Sequence, residues 1–471
     1  MECKIFFGDV EVTKTKVGEI KNPYTGDIVS IYPLCDASDA KEAIEIAQKA
    51  YKKNKDITLS QRVEWVEDVI EKLKKDEDRF AKIITDEIGK PLKFSKVEVQ
   101  RCIETLRVAT AGAIEFGGET FNSDAMPSGR KTISYYKREP VGVASLITPF
   151  NFPLNLIAHK LAPALLMGNS VVLKPTPEAP RIAYEFVKLF NTSSKRSPNA
   201  LSLVYGDAVV GNELVSNPIP RAVSFTGSVP VGKIILRNAG IKKVALELGG
   251  NAATFIDGSA DLGSAAKKCA VGAFINSGQV CISLQRIYAY ESIADEFASL
   301  LAKETNSLIV GDPYDINTFM GPLINEDAVS RAKSWVDSAI AEGAKLLCGN
   351  KAEGRVFYPT VLTDVTDDMN IVCEEVFAPI VSIVKVKDFD EALKKINNSP
   401  YGLQYSIFTN SLENTKKAIN EFECGGVVVN DIPTLRFDIQ PYGGVKLSGI
   451  GKEGPKFAFE EFTEIKSVVI C

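Results

Sequence analysis

The sequence predicts an α/β protein built on parallel sheets, and three observations support this fold class. From residue 142 onward, short apolar segments alternate with helical segments, which is typical of βαβ units. Residues 38 to about 117 have apolar side chains at every third or fourth position, which indicates a layer of helices. A chain of 471 residues is also too long for one compact core, so we expect two or more domains.

The predicted helical layer begins with two helices that have polar residues at their starts. Ser38 and Asp39 can cap AKEAIEIAQKAYKK, and Ser60 can cap QRVEWVEDVIEKLKK. Such side chains accept hydrogen bonds from the free N–H groups of a first helical turn. We therefore expect the helices to begin at these residues.

The strands that follow are predicted to bring polar residues to one edge of a sheet. GVASLIT is followed by Asn151, SVVLK ends at Lys174, AVSFT precedes Gly227 and Ser228, and KVALE ends at Glu247. Open parallel sheets bind ligands beyond the carboxyl ends of their strands. We therefore expect a binding site along this edge.

A second α/β region is predicted after the segment ELGGN. Helical patterns occur near residues 261–274, 293–308 and 325–342. No linker rich in Pro, Ser or charge separates the two regions, so we place the candidate boundary at ELGGN.

Composition indicates a small-molecule partner. The 60 acidic and 55 basic residues are spread along the chain and give a net charge of −5, so no basic face for nucleic acid or anionic lipid is expected. The start of the chain does not resemble a signal peptide, and no apolar run approaches the roughly 20 residues of a membrane-spanning helix. We expect a cytoplasmic protein with no membrane partner.

The nine cysteines are scattered and form no CxxC pair, which favours free, mostly buried thiols and no metal site. Cys281, in NSGQVCIS, stands out because Glu247 and Asn151 accompany it. A thiolate attacks a carbonyl carbon, an amide stabilises the oxyanion and a carboxylate activates water. The plainer alternative is a small buried hydrophobe. The Gly-Gln turn before Cys281 is expected to hold the sulfur at the head of a helix.

Two further features limit the chemistry. The turn GSVPVG, residues 227–232, follows a strand and precedes a helix, where phosphate binds well, although it is not a GxGxxG fingerprint and a plain turn is an equal alternative. Lys174 could likewise be a solvated strand end. His159 is the single histidine and lies in a helical segment, where it is expected to pack on the sheet or line a channel. Glu247 is therefore the better candidate base.

Motifs along the whole chain resemble the aldehyde dehydrogenase superfamily: TPFNFP, LKP, SFTGSVPVGK, LELGGN, NSGQVCIS, EEVFAPIV and PYGGVKLSGIGKEG. The resemblance implies a Rossmann-like dinucleotide-binding domain at residues 1–119 and 138–247 and a catalytic domain at 248–450. A small β oligomerisation element, at 120–137 and 451–471, would combine TISYYKRE with the C-terminal strand. A homodimer or homotetramer is expected, because the strand would otherwise leave an exposed edge.

The resemblance also implies roles for single residues. Cys281 would be the nucleophile, Glu247 the base for deacylation and Asn151 an oxyanion donor. NAD or NADP would be held by Lys174 at the ribose, by Gly227, Ser228 and Gly232 at the pyrophosphate, and by Glu375, with Phe377 beside it, at the nicotinamide ribose. The implied reaction proceeds through a thiohemiacetal, hydride transfer and hydrolysis of a thioester.

Pro177 departs from the family pattern. Many NAD-dependent relatives have Glu at this position, where it holds the adenosine 2′-hydroxyl. Without that carboxylate, NADP could be accepted alongside NAD or preferred. Glu178, the next residue, could compensate.

The substrate expectation depends on three polar residues. Asn155 and His159 share a helix face that should line the aldehyde tunnel, and Arg436 should lie near its mouth, or else pair with Asp438 on the surface. We expect a short hydroxylated aldehyde, as in the lactaldehyde and glycolaldehyde branch. Succinate semialdehyde and glyceraldehyde 3-phosphate are the alternatives. A coenzyme A-acylating enzyme is disfavoured by Glu247, and a non-catalytic structural protein by the joint presence of the three catalytic candidates.

Overall fold

The computed structural model describes residues 2–471. The helices are α1 (Ala37–Lys53), α2 (Leu59–Lys75), α3 (Glu77–Ile88), α4 (Leu92–Glu115), α5 (Asn155–Leu166), α6 (Pro180–Asn191), α7 (Ala208–Ser216), α8 (Val229–Asn238), α9 (Leu262–Phe274), α10 (Glu291–Asn306), α11 (Glu326–Ala341), α12 (Asn370–Cys373), α13 (Phe389–Asn397), α14 (Leu412–Glu421) and α15 (Pro455–Glu461).

The strands are β1 (Ile5–Phe7), β2 (Val10–Val12), β3 (Val17–Lys21), β4 (Ile28–Pro33), β5 (Thr120–Phe121), β6 (Ile133–Pro140), β7 (Val143–Ile147), β8 (Ser170–Lys174), β9 (Leu201–Leu203), β10 (Ala222–Thr226), β11 (Lys243–Glu247), β12 (Ala252–Ile256), β13 (Leu284–Tyr290), β14 (Lys345–Cys348), β15 (Ala352–Glu353), β16 (Val356–Phe357), β17 (Thr360–Thr363), β18 (Ile380–Val386), β19 (Tyr401–Gly402), β20 (Gln404–Phe408), β21 (Gly426–Val429), β22 (Val445–Lys446), β23 (Gly449–Ile450) and β24 (Thr463–Ile470).

The first sheet has the order β2-β1-β9-β8-β7-β10-β11-β23. Its five central strands, from β9 to β11, pair in parallel, and antiparallel strands flank them on both sides. The predicted parallel sheet is therefore confirmed, and the four strands that were expected to share an edge are direct neighbours. Helices α2 to α6 pack over this sheet and bury a large apolar core.

The first two helices begin earlier than predicted. Asp36 caps α1: its side chain accepts from the Asp39 N–H at 3.3 Å, and the Asp39 carboxylate accepts from the Asp36 N–H at 2.9 Å. Thr58 and Gln61 form the same reciprocal arrangement at α2. Ser38, Asp39 and Ser60 thus lie inside the first turns, because a capping box puts the second partner three residues after the cap.

The second sheet has the order β14-β17-β18-β13-β12-β20-β21 and is parallel apart from the β14–β17 pair. It begins at Ala252, five residues after the first long parallel run ends at Glu247. The helices expected after ELGGN correspond to α9, α10 and α11. The chain therefore passes from one sheet to the other within the segment that the sequence indicated.

A third sheet joins the C-terminal strand to the middle of the chain. β24 pairs antiparallel with β6 over eight residue pairs, from Thr463 opposite Pro140 to Ile470 opposite Ile133. In the sheet order β24-β6-β5, β24 is an edge strand. Its Ile465 and Val469 side chains are about 60% exposed, at 59% and 60%. The pairing that the family resemblance implied for these two segments is therefore present.

Residues 2–471 lack both a helix that could span a membrane and a cluster of metal-ligating side chains. None of the helices in this range combines the length and apolarity needed to cross a bilayer. Within the same range, no group of three or more His, Cys, Asp or Glu side chains is placed to hold a metal ion. All nine cysteines are free thiols; three are fully buried and five are partly buried.

Candidate active site

A cavity of about 640 Å³ lies between the first two sheets. Most of the candidate residues meet in its wall: Asn151, Asn155, Lys174, Pro177, Gly227, Ser228, Glu247, Cys281, Glu375, Phe377 and Arg436. Gly232 and His159 do not line it. The structure thus brings together eleven side chains or turns that are up to 285 positions apart in the sequence.

The first sheet supplies one wall of this cavity through the register of its strands. Ile147 of β7 lies opposite Lys174 of β8 and Phe225 of β10, and Thr226 lies opposite Glu247 of β11. Since parallel strands end at the same edge, their terminal residues converge there. This part of the site follows directly from the predicted topology.

Cys281 lies in a turn and not at the start of a helix, which corrects the expectation. Helix α9 ends at Phe274, and strand β13 begins at Leu284. Asn276, Ser277 and Gly278 form a left-handed turn between them, with φ values of 52°, 57° and 68°. The sulfur therefore receives no stabilisation from a helix N-terminus.

Hydrogen bonds to backbone carbonyls hold this left-handed turn (residues 276–278) in place. Ser277 Oγ donates to the Gly321 carbonyl at 2.9 Å, and Asn276 Nδ2 donates to the Asn151 carbonyl at 3.2 Å. A side chain at Gly278 would place its Cβ 2.3 Å from the Ala378 carbonyl oxygen, so the position requires glycine. A non-glycine residue in this conformation costs about 1–2 kcal/mol, which the surrounding contacts must offset.

The Cys281 sulfur has one polar neighbour that the sequence analysis did not identify. The Tyr442 hydroxyl lies 2.8 Å from Sγ. Burial raises the pKa of the Cys281 thiol to about 12, and the hydrogen bond with Tyr442 acts in the opposite direction. The resemblance motif PYGG contains this tyrosine, but a sequence does not show which side chain reaches the sulfur.

Asn151 faces the same turn. Its Nδ2 donates to the Gln279 carbonyl at 3.0 Å, which leaves the second amide hydrogen for a ligand. Lys90 Nζ donates to the Asn151 carbonyl at 2.7 Å and pairs with Glu98, whose other oxygen accepts from the Leu154 N–H at 2.9 Å. This buried ion pair was missed, because Lys and Glu in an amphipathic helical pattern resemble a solvated face.

Two buried carboxylates in the cavity wall, Glu247 and Glu453, have pKa values shifted in opposite directions. Burial raises the pKa of Glu247 well above its usual value, and the neighbouring charge of Glu453 adds to this effect. The Glu247 Oε2 atom is buried without a hydrogen-bond partner. Gly443 leaves room for this carboxylate, since a Cβ there would lie 2.6 Å from Oε1. Glu247 is therefore protonated more readily than an exposed glutamate, as a general base near neutral pH requires.

Glu453 is ionised in spite of its burial. Burial opposes its charge, but Lys160 at 2.9 Å and Arg436 at 3.2 Å hold its pKa at about 2. Thr226 Oγ1 also donates to it at 3.2 Å. The sequence analysis missed Glu453 and Lys160 because nothing in the chain order links residues 293 positions apart.

Arg436 is enclosed in the cavity wall and is not a surface residue. Only 10% of its side chain is exposed. Its Nη2 reaches Glu453 Oε2 at 3.2 Å, and its Cζ lies 3.7 Å from the centre of the Tyr442 ring. The alternative pair with Asp438 is present, since Asp438 Oδ1 lies 3.6 Å from Arg436 Nε, but it is buried and not on the surface. Arg101 is the nearer partner of Asp438, at 2.8 and 3.0 Å.

The structure separates Asn155 from His159. Asn155 lines the cavity, and its Oδ1 accepts from Thr105 Oγ1 at 2.9 Å, which leaves Nδ2 as the group available to a ligand. His159 is fully buried behind the wall and lies 3.0 Å from Asp438. Burial lowers the pKa of His159, and the nearby Arg436 adds to this. His159 therefore packs behind the cavity wall, in contact with Asp438, and does not face a ligand.

The part of the cavity wall that contains Lys174, Gly227, Ser228 and Glu375 fits a dinucleotide. Helix α8 has no side-chain cap at Ser228, so the N–H groups of Val229 and Val231 are free to bind an anion, while Pro230 has none. Gly227 needs to be glycine, because a Cβ would lie 2.4 Å from the Phe225 ring. Gly232 faces away, and a Cβ there would collide with Leu248 at 2.7 Å. Its requirement for glycine is therefore one of packing.

Lys174 and Glu375 face this part of the cavity. Lys174 is buried and, within residues 2–471, has no ion-pair partner; burial lowers its pKa, while Glu178 opposes that effect. Glu375 Oε1 accepts from the Gly250 N–H at 2.9 Å, and enclosure raises the pKa of Glu375 to about 7. Buried charges normally have partners, so a lone lysine and a carboxylate with a free oxygen are suited to bind ligand hydroxyls.

Three neighbouring residues complete the dinucleotide end. Phe377 has a left-handed backbone, with φ 47°, and its ring lies 6.0 Å from the Phe150 ring. Pro177 and Glu178 both line the cavity, and the Glu178 carboxylate accepts a hydrogen bond from the Thr176 hydroxyl. The residues present therefore fit a nicotinamide dinucleotide.

Comparison with known proteins agrees with this geometry. The chain matches the Aldehyde dehydrogenase family over residues 10–468. It is 40% identical to the lactaldehyde dehydrogenase of Methanococcus aeolicus over 96% of this chain and 97% of that protein. It is also 40% identical to the 3-sulfolactaldehyde dehydrogenase of Priestia megaterium, over 98% and 96% of the two chains.

Solved structures are similar over the whole length. Aldehyde dehydrogenase 21 from Physcomitrella patens, in complex with the product succinate, superposes with a TM-score of 0.96 at 35% identity, over 100% of this chain and 98% of that one. Glyceraldehyde-3-phosphate dehydrogenase GapN from Methanocaldococcus jannaschii, complexed with NADP, gives a TM-score of 0.92 at 38% identity, over 97% and 100%.

Proposed function

Because this chain belongs to the aldehyde dehydrogenase family, we propose that it oxidises a short hydroxylated aldehyde, of the lactaldehyde or glycolaldehyde type, to the carboxylic acid with NAD or NADP. The observation that carries the proposal is the convergence of Cys281, Glu247 and Asn151 in one wall of the central cavity. The names of the lactaldehyde dehydrogenase relatives support the substrate class.

Cys281 forms the covalent bond to the aldehyde carbon. The thiolate attacks the carbonyl, and the negative charge that develops on oxygen is stabilised by the free Asn151 Nδ2 hydrogen and the Cys281 backbone N–H. One such donor is worth about 2.7–4 kcal/mol in the transition state. A nicotinamide bound here would supply the hydride acceptor, and Cys281 would then carry the acyl group as a thioester.

Glu247 activates the water that hydrolyses this thioester. Its raised pKa matches the task, since a general base works best when its pKa is close to the operating pH. A buried Oε2 atom without a partner is available to accept the proton from water. Placement of this base beside the sulfur favours hydrolysis over transfer of the acyl group to coenzyme A.

The dinucleotide is held by groups of both sheets. Lys174 would bind the adenosine ribose, and the uncapped start of α8 with Gly227 and Ser228 would bind the pyrophosphate. Glu375, beside Phe377, would bind the nicotinamide ribose. Pro177 presents no carboxylate toward a 2′-phosphate, which supports acceptance of NADP. Glu178 is engaged by Thr176, so it competes less well for the 2′-hydroxyl of NAD.

A hydroxylated aldehyde matches the polar end of the cavity. The free amide of Asn155 faces it, and its charges are balanced: Arg436 is paired with Glu453 and Arg101 with Asp438. A neutral hydroxyl can hydrogen-bond to these groups without breaking either pair. A site built for a hydroxyl rejects the analogue that lacks it, because its own polar groups would be left unpaired.

The test compares lactaldehyde with propionaldehyde. We expect kcat/KM for lactaldehyde to exceed that for propionaldehyde by about tenfold or more, and Asn155→Leu to reduce this ratio by about fivefold or more. Asn155→Ala is the matched control, because it removes the amide without added bulk and should reduce the ratio similarly. Equal handling of both aldehydes by the wild-type enzyme would contradict the proposal.

An aldehyde with a terminal anion is the second candidate. Arg101 keeps 26% of its side chain exposed at the cavity, and relatives include a 3-sulfolactaldehyde dehydrogenase and a GapN enzyme. An anion would have to compete with Asp438 for this guanidinium. The test measures kcat/KM for 3-sulfolactaldehyde, succinate semialdehyde and glyceraldehyde 3-phosphate. An anionic substrate would be favoured if one of these values exceeds the value for lactaldehyde and if Arg101→Leu abolishes that advantage.

We also propose that the chain forms a homodimer or homotetramer through β24. The proposed domains are a dinucleotide-binding domain (1–119 and 138–247), a catalytic domain (248–450) and an oligomerisation element (120–137 and 451–471). The argument is the free edge of β24 with its exposed apolar side chains. Removal of residues 464–471 should reduce the mass measured by light scattering to that of one chain. Ile465→Lys with Val469→Lys keeps the strand and tests its exposed face; the unchanged oligomer mass in both variants would contradict this.

A further inference from the structure

We propose that Tyr442 is a catalytic residue that donates a hydrogen bond to the Cys281 thiolate and thereby sets the reactivity of the nucleophile. The inference rests on the proposed function of Cys281. It assigns a task to a residue that the hydride-transfer and hydrolysis steps do not use.

The contact has a defined direction once the thiol has ionised. The Tyr442 oxygen lies 2.8 Å from Cys281 Sγ. In the neutral state either group can donate, but a thiolate has no proton, so the phenol must be the donor. Hydrogen bonds to charged groups are about twice as strong as neutral ones, so this contact favours the ionised sulfur.

Two common sources of thiolate stabilisation, a helix N-terminus and a histidine, are missing at this site, whereas the charge of Arg436 acts to lower the pKa of Cys281. Reactive cysteines commonly lie at a helix N-terminus or beside a histidine. Cys281 follows the left-handed turn, and His159 is buried behind the wall against Asp438. The phenol is therefore the group in hydrogen-bond contact with the sulfur among residues 2–471.

Several contacts hold the phenol in position. Tyr442 is 6% exposed and packs in a small apolar cluster with Val280, Ile282 and Leu403. Its backbone N–H donates to the Glu453 carbonyl at 2.9 Å, and the Glu453 N–H donates to the Tyr442 carbonyl at 2.6 Å. These contacts therefore fix the tyrosine ring beside the sulfur, so the hydrogen bond is pre-organised.

The Arg436 guanidinium strengthens the donor. Its Cζ lies 3.7 Å from the ring centre of Tyr442, and Glu453 fixes its position at 3.2 Å. A cation over an aromatic face is attracted to the ring electrons and draws density away from the phenol oxygen. A phenol with less electron density gives up its hydrogen more readily to a thiolate. Arg436 thus acts on the sulfur through Tyr442.

The experiment measures thiolate reactivity directly, without aldehyde or cofactor. Wild type and Tyr442→Phe are alkylated with iodoacetamide between pH 7 and 9, and modification is followed by mass spectrometry of tryptic peptide 269–286, where fragmentation separates Cys281 from the buried Cys269. Below the midpoint of the thiol, the rate follows the thiolate fraction. We expect the Cys281 rate to fall about three- to tenfold in Tyr442→Phe.

Tyr405→Phe is the matched control. Tyr405 is fully buried in the second sheet and donates to the Tyr401 carbonyl at 2.9 Å, and it belongs to a different apolar cluster from Cys281 and Tyr442. This variant loses one buried tyrosine hydrogen bond and should alkylate at the wild-type rate. Arg436→Lys keeps a cation but removes the planar group over the ring, and should give a smaller fall than Tyr442→Phe.

The possible outcomes distinguish failure of this inference from failure of the proposed function. Equal alkylation rates in wild type and folded Tyr442→Phe would overturn the task assigned to Tyr442, and so would an equal fall in Tyr405→Phe. If Tyr442→Phe does not fold, wild-type alkylation in Arg436→Lys overturns it. Cys281→Ser with wild-type aldehyde oxidation would instead refute the proposed nucleophile.

Discussion

The two large sheets contribute to the central cavity in different ways. The first sheet delivers Lys174 and Glu247 from the ends of two of its parallel strands, β8 and β11, and Asn151 lies just beyond a third, β7. The second half of the chain delivers Cys281 and Arg436 from turns and loops. Strand order alone places the first group, whereas individual contacts, such as Ser277 to Gly321, place the second.

This difference suggests that residues at the sheet edge and residues on loops respond differently to substitution. Groups at a sheet edge keep their positions when one of them is replaced, because the backbone ladder holds them. Loop groups depend on each other, as the Arg436, Glu453 and Tyr442 contacts show. We therefore expect cofactor binding and sulfur chemistry to be separable by substitution, and the following predictions test that separation.

The largest effect is expected for Cys281→Ser. Loss of the nucleophile should lower kcat by about 10⁴-fold or more, as for other covalent catalysts. The cofactor end lies mainly on the first sheet, so the Kd for NADP, measured by protein fluorescence, should stay within about twofold of wild type. Loss of NADP binding in this variant would break the division between the two regions.

Glu247→Gln should lower steady-state turnover by about 10²–10⁴-fold. Rapid mixing should still show a burst of one NADPH per active site, because attack and hydride transfer precede the step that needs the base. In the wild type, burial raises the pKa of Glu247, so the base is protonated at low pH and the steady-state rate should increase as pH rises through that pKa. A variant without a burst, or with wild-type turnover, would show that this strand-end group has another task.

Lys174→Met should raise the Kd for both cofactors by about 10- to 100-fold, since hydrogen bonds from charged groups are worth about 1.5–3 kcal/mol. Met keeps the length of the side chain and suits the buried site. Alkylation of Cys281 by iodoacetamide should be unchanged, because the lysine lies at the other end of the cavity. A change in alkylation without a change in Kd would reverse the proposed division.

The smallest effect is expected for Pro177→Glu. A new carboxylate beside the adenosine ribose should repel a 2′-phosphate and raise KM for NADP about tenfold relative to KM for NAD. Pro177→Gln is the uncharged control and should change the two values alike. Equal changes for both cofactors in Pro177→Glu would show that Pro177 does not govern the choice.

Much of the first sheet could be predicted from the sequence. Apolar runs followed by Asn151, Lys174 and Glu247 predicted neighbouring strands whose final residues face one site, because parallel strands share one edge. Helix starts were less accurate: the capping boxes at Asp36 and Thr58 begin two residues before the predicted caps.

The second half of the site required contacts that a single sequence does not display. Tyr442 and Glu453, which pair through their backbones, meet Lys160 from a distant segment around the sulfur and Glu247. The left-handed turn before Cys281 was not predicted either, since Asn and Ser adopt such angles only when surrounding contacts offset the strain. His159 was assigned to the tunnel from helix periodicity, which does not tell how deep a face is buried.

The left-handed turn at residues 276–278 makes the position of Cys281 independent of the side chains that face the aldehyde. Its anchors are the backbone carbonyls of Gly321 and Asn151 and the close approach of Gly278 to Ala378. Directed evolution toward new aldehydes can therefore randomise wall positions such as Asn155 without displacing the sulfur. Libraries that include residues 276–278 would mostly yield inactive enzymes.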